Sequence, residues 1–319
     1  MFLYTKKEIA VLSQKLNVQK QTLERVLRLI DVLYFINTDK CLKGKLALKG
    51  GSALNLTFYD YLRLSDDIDL DYIGSNDGEQ MMIDRNLIET RLLNYIQSAN
   101  MRYRNDKTKK THALDSFVFN YSNMFNAIDM IKVEINYMNR IHLFDYEKRS
   151  ITLPSKNGNE VLTLSKIDLF ASKTNALIYR TTIRDIYDVN NMIENKTISS
   201  DEFIMFKKSL IFYLLLSSED KIDISTLFNK CKHRMNSFVG KRVPQYLTST
   251  LKLNEHFDVS TAVNSISILL DKILNSITES EIEFINSFPH FSIFLFENDL
   301  INKKINNHPM LRWKQSLLN

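Results

Sequence analysis

Apolar residues recur every three or four positions between residues 6 and 35 (Ile9, Leu12, Leu16, then Leu23, Val26, Leu27, Ile30, Leu33), a spacing that predicts helices packed on a core. The period then shortens. KLALK at 45–49 predicts a short strand, and residues 68–73 alternate apolar and polar side chains as a half-buried strand does. Residues 86–99 return to the helical period. Segments 101–104, 117–121 and 132–137, rich in β-branched and aromatic side chains, predict further strands. LPSKNGNE at 153–160 holds a proline, a glycine and two asparagines and is the best domain boundary. Beyond it the helical period runs through 161–194, 202–216 and 260–274. The expected fold is α/β (α+β), a mixed sheet core with an N-terminal helical segment and a large helical C-terminal region, divided into domains 1–155 and 156–319.

Composition supports this outline. A chain of 319 residues with 44% hydrophobic and 25% charged residues is ordinary for a globular protein and gives no indication of disorder. Seven glycines and four prolines leave long stretches without breakers, in keeping with a helix-rich fold. Cys41 and Cys231 make no disulfide framework, and the six histidines have no metal-ligand spacing. The longest apolar run, LIFYLLL at 210–216, falls far short of the ~20 residues that span a bilayer. The opening residues, MFLYTKKEIAVLSQKL, lack the apolar core of a signal peptide. A cytoplasmic protein without a membrane partner is expected. The net charge of +5 is compatible with a polyanionic partner but does not require one.

The chemistry concentrates in LKGGSALNLTFYDYLRLSDDIDLDYIG, residues 48–74, where three of the seven glycines meet Asp66, Asp67, Asp69 and Asp71. Like charges at this density are unfavourable unless a cation or many hydrogen bonds compensate them. On a strand, Asp67, Asp69 and Asp71 share one face and Ile68 and Leu70 the other. Such carboxylates suit a hard divalent cation, Mg²⁺ or Mn²⁺. An EF-hand is excluded, because its sixth and twelfth positions would be Tyr72 and Gly78. A bare Asp-x-Asp also fits an aspartyl phosphatase, a sugar transferase or a charged sheet edge. Gly50-Gly51-Ser52, between a short strand and a helix-like stretch, offers backbone N–H groups to an anion; as plain structure it is a tight turn with Ser52 as N-cap. Together the two features describe a site for a metal-bound nucleoside triphosphate.

This combination resembles the nucleotidyltransferase superfamily, and LKGGSALNL followed by RLSDDIDL is similar to the AbiEii/AbiGii toxins of toxin–antitoxin and abortive-infection systems. Gly50, Gly51, Ser52, Arg63, Ser65, Asp67 and Asp69 carry the resemblance. It implies a nucleotidyltransferase-like core and a third carboxylate on a neighbouring strand, which IKVEINYM supplies as Glu134, on one strand face with Lys132 and Asn136. LSKIDLFASKTNALIYRTTIRDIYDV resembles the family's downstream motif. On a single helix, its Lys173, Leu177, Arg180 and Arg184 would line one face, with Asp185 and Asp188 orienting the cations. The resemblance implies metal ligation by Asp67, Asp69 and Glu134, catalytic roles for these with Lys173 and Asp185, and nucleotide contacts from Gly50, Gly51, Ser52, Arg63, Ser65, Lys173, Arg180 and Arg184. It further implies an NTP substrate, an RNA acceptor, most plausibly the tRNA 3′ end, and a cognate antitoxin from a neighbouring gene. Three alternatives stay open: transfer to a protein hydroxyl, nucleotide binding without turnover, and a helical half that acts only as an interaction module. Lys230, Lys232, His233, Arg234, Lys241 and Arg242 form a basic cluster that suits either a phosphate track or a solvated loop.

Overall fold

The N-terminal periodicity becomes two helices, α1 (Lys6–Leu16) and α2 (Lys20–Thr38). Thr5 and Glu8 cap α1 reciprocally, and Asn17 ends it in the left-handed conformation at φ 54°. The computed structural model describes residues 2–59, 61–65, 67–153, 156, 158, 160–288 and 300–318. Two compact units are present, one formed by Met1–Arg140, Tyr146–Leu164 and Pro244–Glu255, the other by Ile141–Asp145, Ser165–Val243 and His256–Asn319.

The first unit is built on a mixed sheet of eight strands: β1 (Leu46–Lys49), β2 (Asp67–Tyr72), β3 (Arg102–Tyr103), β4 (Lys109–Lys110), β5 (Leu114–Ser122), β6 (Ile128–Asn136), β7 (Glu147–Ser150) and β8 (Glu160–Thr163). Their order is β3-β5-β6-β2-β1-β8-β7, with β4 beside β5. β2 runs parallel to β6 and antiparallel to β1, which brings strands far apart in sequence side by side. One face is apolar: Ile68 lies opposite Val133, Leu70 opposite Ile135, and Val133 opposite Phe117, all buried. α2, whose Leu23, Val26, Leu27, Ile30 and Leu33 are buried, packs against β2, β6 and β8. Between β1 and β2 a short helix, α3 (Gly50–Ala53), passes into a π-helical turn, Leu54–Phe58. α4 (Gly78–Ser98) starts earlier than the periodicity suggested, because Asp77 caps it.

Three features depart from the sequence expectation. Residues 160–163 form β8 where helical spacing was read. EVLT pairs with both β7 and β1, and the helix waits for Ser165, whose hydroxyl caps the Asp168 N–H. β7, EKRS, is too charged to read as a strand, yet this suits the outermost position of a sheet. Finally, residues 244–255, expected to belong to the helical half, pack with the first unit. There the Thr250 carbonyl accepts the Leu64 N–H at 2.7 Å, Leu251 bridges to Arg63, and Leu253 donates to the Asn17 carbonyl. This strap pins the loop that feeds β2. Of the boundary segment, Pro154, Ser155, Asn157 and Asn159 lie outside the described residues.

The second unit is helical. α5 (Lys166–Arg180), α6 (Ile183–Glu194), α7 (Phe203–Ser217) and α8 (Ile224–Asn236) precede the strap, which carries α9 (Gln245–Thr248); α10 (Val259–Asn275) follows it. Of LIFYLLL, residues 210–215 are buried in α7. Among the described residues no helix is long and apolar enough to cross a membrane. At the start of α5 the buried Asp168 carboxylate accepts from the Phe144 N–H, the Ser165 hydroxyl and the Tyr213 hydroxyl, so its role is to hold segment 141–145 and α7 to α5.

Candidate active site

The polar face of the sheet carries the candidate chemistry. Alternation on β2 puts Asp67, Asp69 and Asp71 on one side, and the parallel register sets Asp67 beside Lys132, Asp69 beside Glu134 and Asp71 beside Asn136. β1 and β5 extend the middle row, with Lys49 opposite Asp69 and Ser116 opposite Glu134. Lys49, Asp69, Glu134 and Ser116 therefore cross four adjacent strands in line.

Asp67 and Glu134 point at the same ammonium. Lys132 Nζ lies 3.5 Å from Asp67 Oδ2 and 3.2 Å from Glu134 Oε1. The Ser116 hydroxyl donates to Glu134 Oε1 at 2.9 Å, and the Ser65 hydroxyl to Asp67 Oδ1 at 3.2 Å. Asp71, in contrast, is buried and committed: it pairs with Lys49 and accepts from Asn136 Nδ2. Asp69 sits between these groups. Burial, followed by repulsion from Asp67, raises its carboxyl to about 6, against the attraction of Lys49. Burial would lower the Lys132 pKa, but Asp67 and Glu134 carry it above its ordinary value. Asp66 lies outside the described residues.

Gly50 explains the glycine pair in part. Its φ is +67°, and a Cβ there would stand 2.6 Å from Asp69 Oδ2. Only glycine lets the chain turn this close to the carboxylate. Gly50→Ala is expected to cost about 1–2 kcal/mol of stability and to reduce catalytic turnover by about tenfold or more by displacing Asp69, measured by thermal melts beside a transfer assay. Gly51 and Ser52 are buried, and the Ser52 hydroxyl donates to the Asp67 carbonyl, so its visible contribution is to tie α3 to β2. Arg63 is buried, with its backbone N–H bonded to Asn55 Oδ1 at 3.1 Å.

The downstream motif lies in the second unit. It does not form one helix: α5 ends at Arg180, Thr181 takes φ 48°, and Thr182 with Asp185 forms the capping box of α6, so Arg184 stands on a different helix from Lys173 and Arg180. Lys173, 6% exposed, is held by Asp185 Oδ1 at 2.9 Å and Asp188 Oδ2 at 2.7 Å. Arg180 closes on Asp185 with two hydrogen bonds, at 2.8 and 2.7 Å. Burial would raise the Asp185 carboxyl, but the Lys173 charge and then the Arg180 contacts overcome it and hold it well below the usual carboxylate range. In the basic cluster, Lys232 pairs with Asp271, and Arg234 donates to the Ile178 carbonyl and the Thr181 hydroxyl.

Lys49 and Ser116 are the site neighbours that sequence reasoning passed over. Lys49 directly precedes Gly50, which is a faint signal; Ser116 gives none until β5 is placed beside β6.

The donor set is chemically suited to a hard divalent cation: carboxylate oxygens share one face, where burial and then the Asp67 charge raise Asp69. Among the described residues, however, no three acidic, His or Cys side chains are drawn together closely enough to hold one as they stand.

Comparison with known proteins assigns the family. Residues 35–234, more than half of the chain, match AbiEii, described as the nucleotidyl transferase AbiEii toxin of type IV toxin–antitoxin systems. The span takes in Gly50, Asp67, Asp69, Glu134, Lys173 and Asp185. Among solved structures the chain is similar to MenT4, a nucleotidyltransferase toxin from Mycobacterium tuberculosis H37Rv, with a TM-score of 0.63 over 98% of this chain and 99% of that one. At 11% sequence identity this is a likeness of fold. A search of the curated proteins found no match. With its mixed sheet, its acidic face and this match, the chain belongs to the AbiEii family and is a nucleotidyltransferase toxin of the type IV toxin–antitoxin class.

Proposed function

We propose that the enzyme transfers a nucleoside monophosphate from a nucleoside triphosphate to RNA, at the 3′ end of tRNA, and that this transfer is dependent on Mg²⁺ held by Asp67, Asp69 and Glu134. The observation that carries the reading is the register of β2 and β6, which puts Asp69 beside Glu134 and turns Asp67 and Glu134 toward one point. A divalent cation there would neutralise triphosphate charge and make an acceptor hydroxyl easier to ionise. The remaining work falls to the chain. Gly50 keeps the backbone low beside Asp69, which leaves room for a phosphate group. Asp67 is fixed by the Ser65 hydroxyl, and Glu134 by the Ser116 hydroxyl, so neither has to be ordered when substrate arrives. As the acceptor oxygen bonds to the α-phosphorus, the bond to the β-phosphate bridge breaks and pyrophosphate leaves, with Glu134 accepting the hydroxyl proton. Lys173, enclosed by Asp185 and Asp188, acts by holding α5 to α6.

A tRNA extended at its 3′ end cannot be aminoacylated, which accounts for toxicity. Periodate oxidation of the acceptor tests the position. Intact tRNA is expected to take up label from an α-labelled triphosphate, and tRNA whose terminal 2′,3′-diol has been oxidised to take up none. Equal labelling of both would place the transfer elsewhere, and label on protein alone would favour a protein hydroxyl.

A further inference from the structure

Lys132 occupies a particular place among the catalytic carboxylates. Its ammonium lies 3.2 Å from Glu134 Oε1 and 3.5 Å from Asp67 Oδ2, bridging the two strands that supply the acidic residues. Lys49, on the neighbouring strand β1, is committed one position along, to Asp71. Magnesium binds carboxylate oxygens at about 2.0–2.1 Å. A cation so close to Asp67 and Glu134 and an ammonium bridging the same oxygens would claim one volume, and two positive centres there would repel each other strongly. The two must therefore exchange. Lys132 can leave: its side chain is 39% exposed and ends a flexible four-carbon stem.

Resting on the metal reading above, we infer that Lys132 is the built-in counter-ion of the catalytic carboxylates, which a divalent cation must displace. It keeps Asp67 and Glu134 gathered, and it weakens metal binding by the protein alone. The triphosphate restores the balance, because its oxygens supply further ligands to the cation and further charge for the released ammonium. Metal and nucleotide then bind cooperatively, and an idle enzyme holds little metal. No bond is made or broken in this exchange; a charge-neutralising contact passes from one cation to another.

Direct titration of the full chain with Mn²⁺, with free ion read by electron paramagnetic resonance, tests this without reference to activity. Lys132→Met is expected to bind Mn²⁺ about tenfold more tightly than wild type when no nucleotide is present. The same variant is expected to show less tightening of Mn²⁺ binding when a non-hydrolysable triphosphate is added. Lys132→Arg, which keeps the charge, is expected to bind as wild type does, and this separates the charge from any disturbance of β6. Equal or weaker binding by Lys132→Met, with binding by wild type still abolished in Asp67→Asn, overturns the counter-ion role and leaves the metal site standing. Absence of Mn²⁺ binding from wild type and Lys132→Met alike, with and without triphosphate, overturns the metal reading and the counter-ion role together.

Discussion

Asp69→Asn is expected to lower nucleotidyl transfer by about 10²–10³-fold or more while leaving the protein as stable as before. Asp69 stands at the centre of the row, between Lys49 and Glu134, with the Gly50 backbone against its carboxylate. Asparagine keeps its shape and removes one anionic oxygen, so packing changes little. The stability half of this expectation has a definite sign. Burial and the neighbouring Asp67 raise the folded-state carboxyl to about 6 from an ordinary 3.8, so the folded chain binds this proton more tightly than the unfolded chain does. The ionised carboxylate therefore weakens the fold at neutral pH, by an amount that solvent access reduces. Removing its charge should leave Tm unchanged or raise it by about 2 °C. A melt and a label-transfer assay on the same preparation decide the matter. A variant that loses activity only because it unfolds would show that Asp69 is structural, and a variant that keeps full activity would remove it from the chemistry.

Lys173→Met should do the reverse, striking stability first. The Lys173 ammonium is the shared partner of Asp185 and Asp188, both buried in the second unit, and its loss leaves Asp188 without this charge and Asp185 relying on Arg180. Breaking a buried ion pair from one side costs about 3–5 kcal/mol, which corresponds to a fall in Tm of about 5–7 °C for a chain of this size. Replacing the carboxylates as well, as Lys173→Met with Asp185→Asn and Asp188→Asn, should recover part of the loss, because no buried carboxylate is then left without its cation, and Arg180, which loses Asp185, is largely exposed to solvent. Acid supplies a second check. The folded Asp185 carboxyl is held below its ordinary 3.8, so the stability it contributes is present above that pH and lost as pH falls through the folded value. Wild type should lose stability on acidification below about pH 4, and the gap between wild type and Lys173→Met should narrow there. If Lys173→Met melted as wild type does yet failed to transfer nucleotide, the lysine would have a direct part in catalysis.

The sequence disclosed faces more readily than neighbours. A period of two is enough to place Asp67 and Asp69 on one side of β2, and Glu134 with Lys132 on one side of β6. It does not say that β2 and β6 are adjacent and parallel, because that pairing joins segments some sixty residues apart through α4 and a hairpin. The bridging contact of Lys132 follows from that pairing alone, and the place of Ser116 beside Glu134 from the antiparallel pairing of β5 with β6. β8 was hidden because VLTL runs straight into the apolar spacing of α5, and only the Ser165 cap divides them. The break between α5 and α6 left a trace in TTIRD, whose Thr182 and Asp185 have capping-box spacing, but the regular placement of Lys173, Arg180 and Arg184 outweighed it. The return of residues 244–255 to the first unit depends on backbone contacts to Leu64 and Asn17, which have no signature in one sequence. The mixed α/β class and the helical character of the second unit were legible because their periodic segments are long.

The most direct test of the account joins its two strands in one assay. Wild type and Glu134→Gln, each shown to be folded, are incubated with total RNA and each of the four α-labelled nucleoside triphosphates. Wild type is expected to give a labelled RNA band with selectivity for the base, and Glu134→Gln to lose it, since Glu134 is the carboxylate that β6 contributes beside Asp69. Undiminished labelling by Glu134→Gln, or no incorporation by wild type from any of the four, would contradict this.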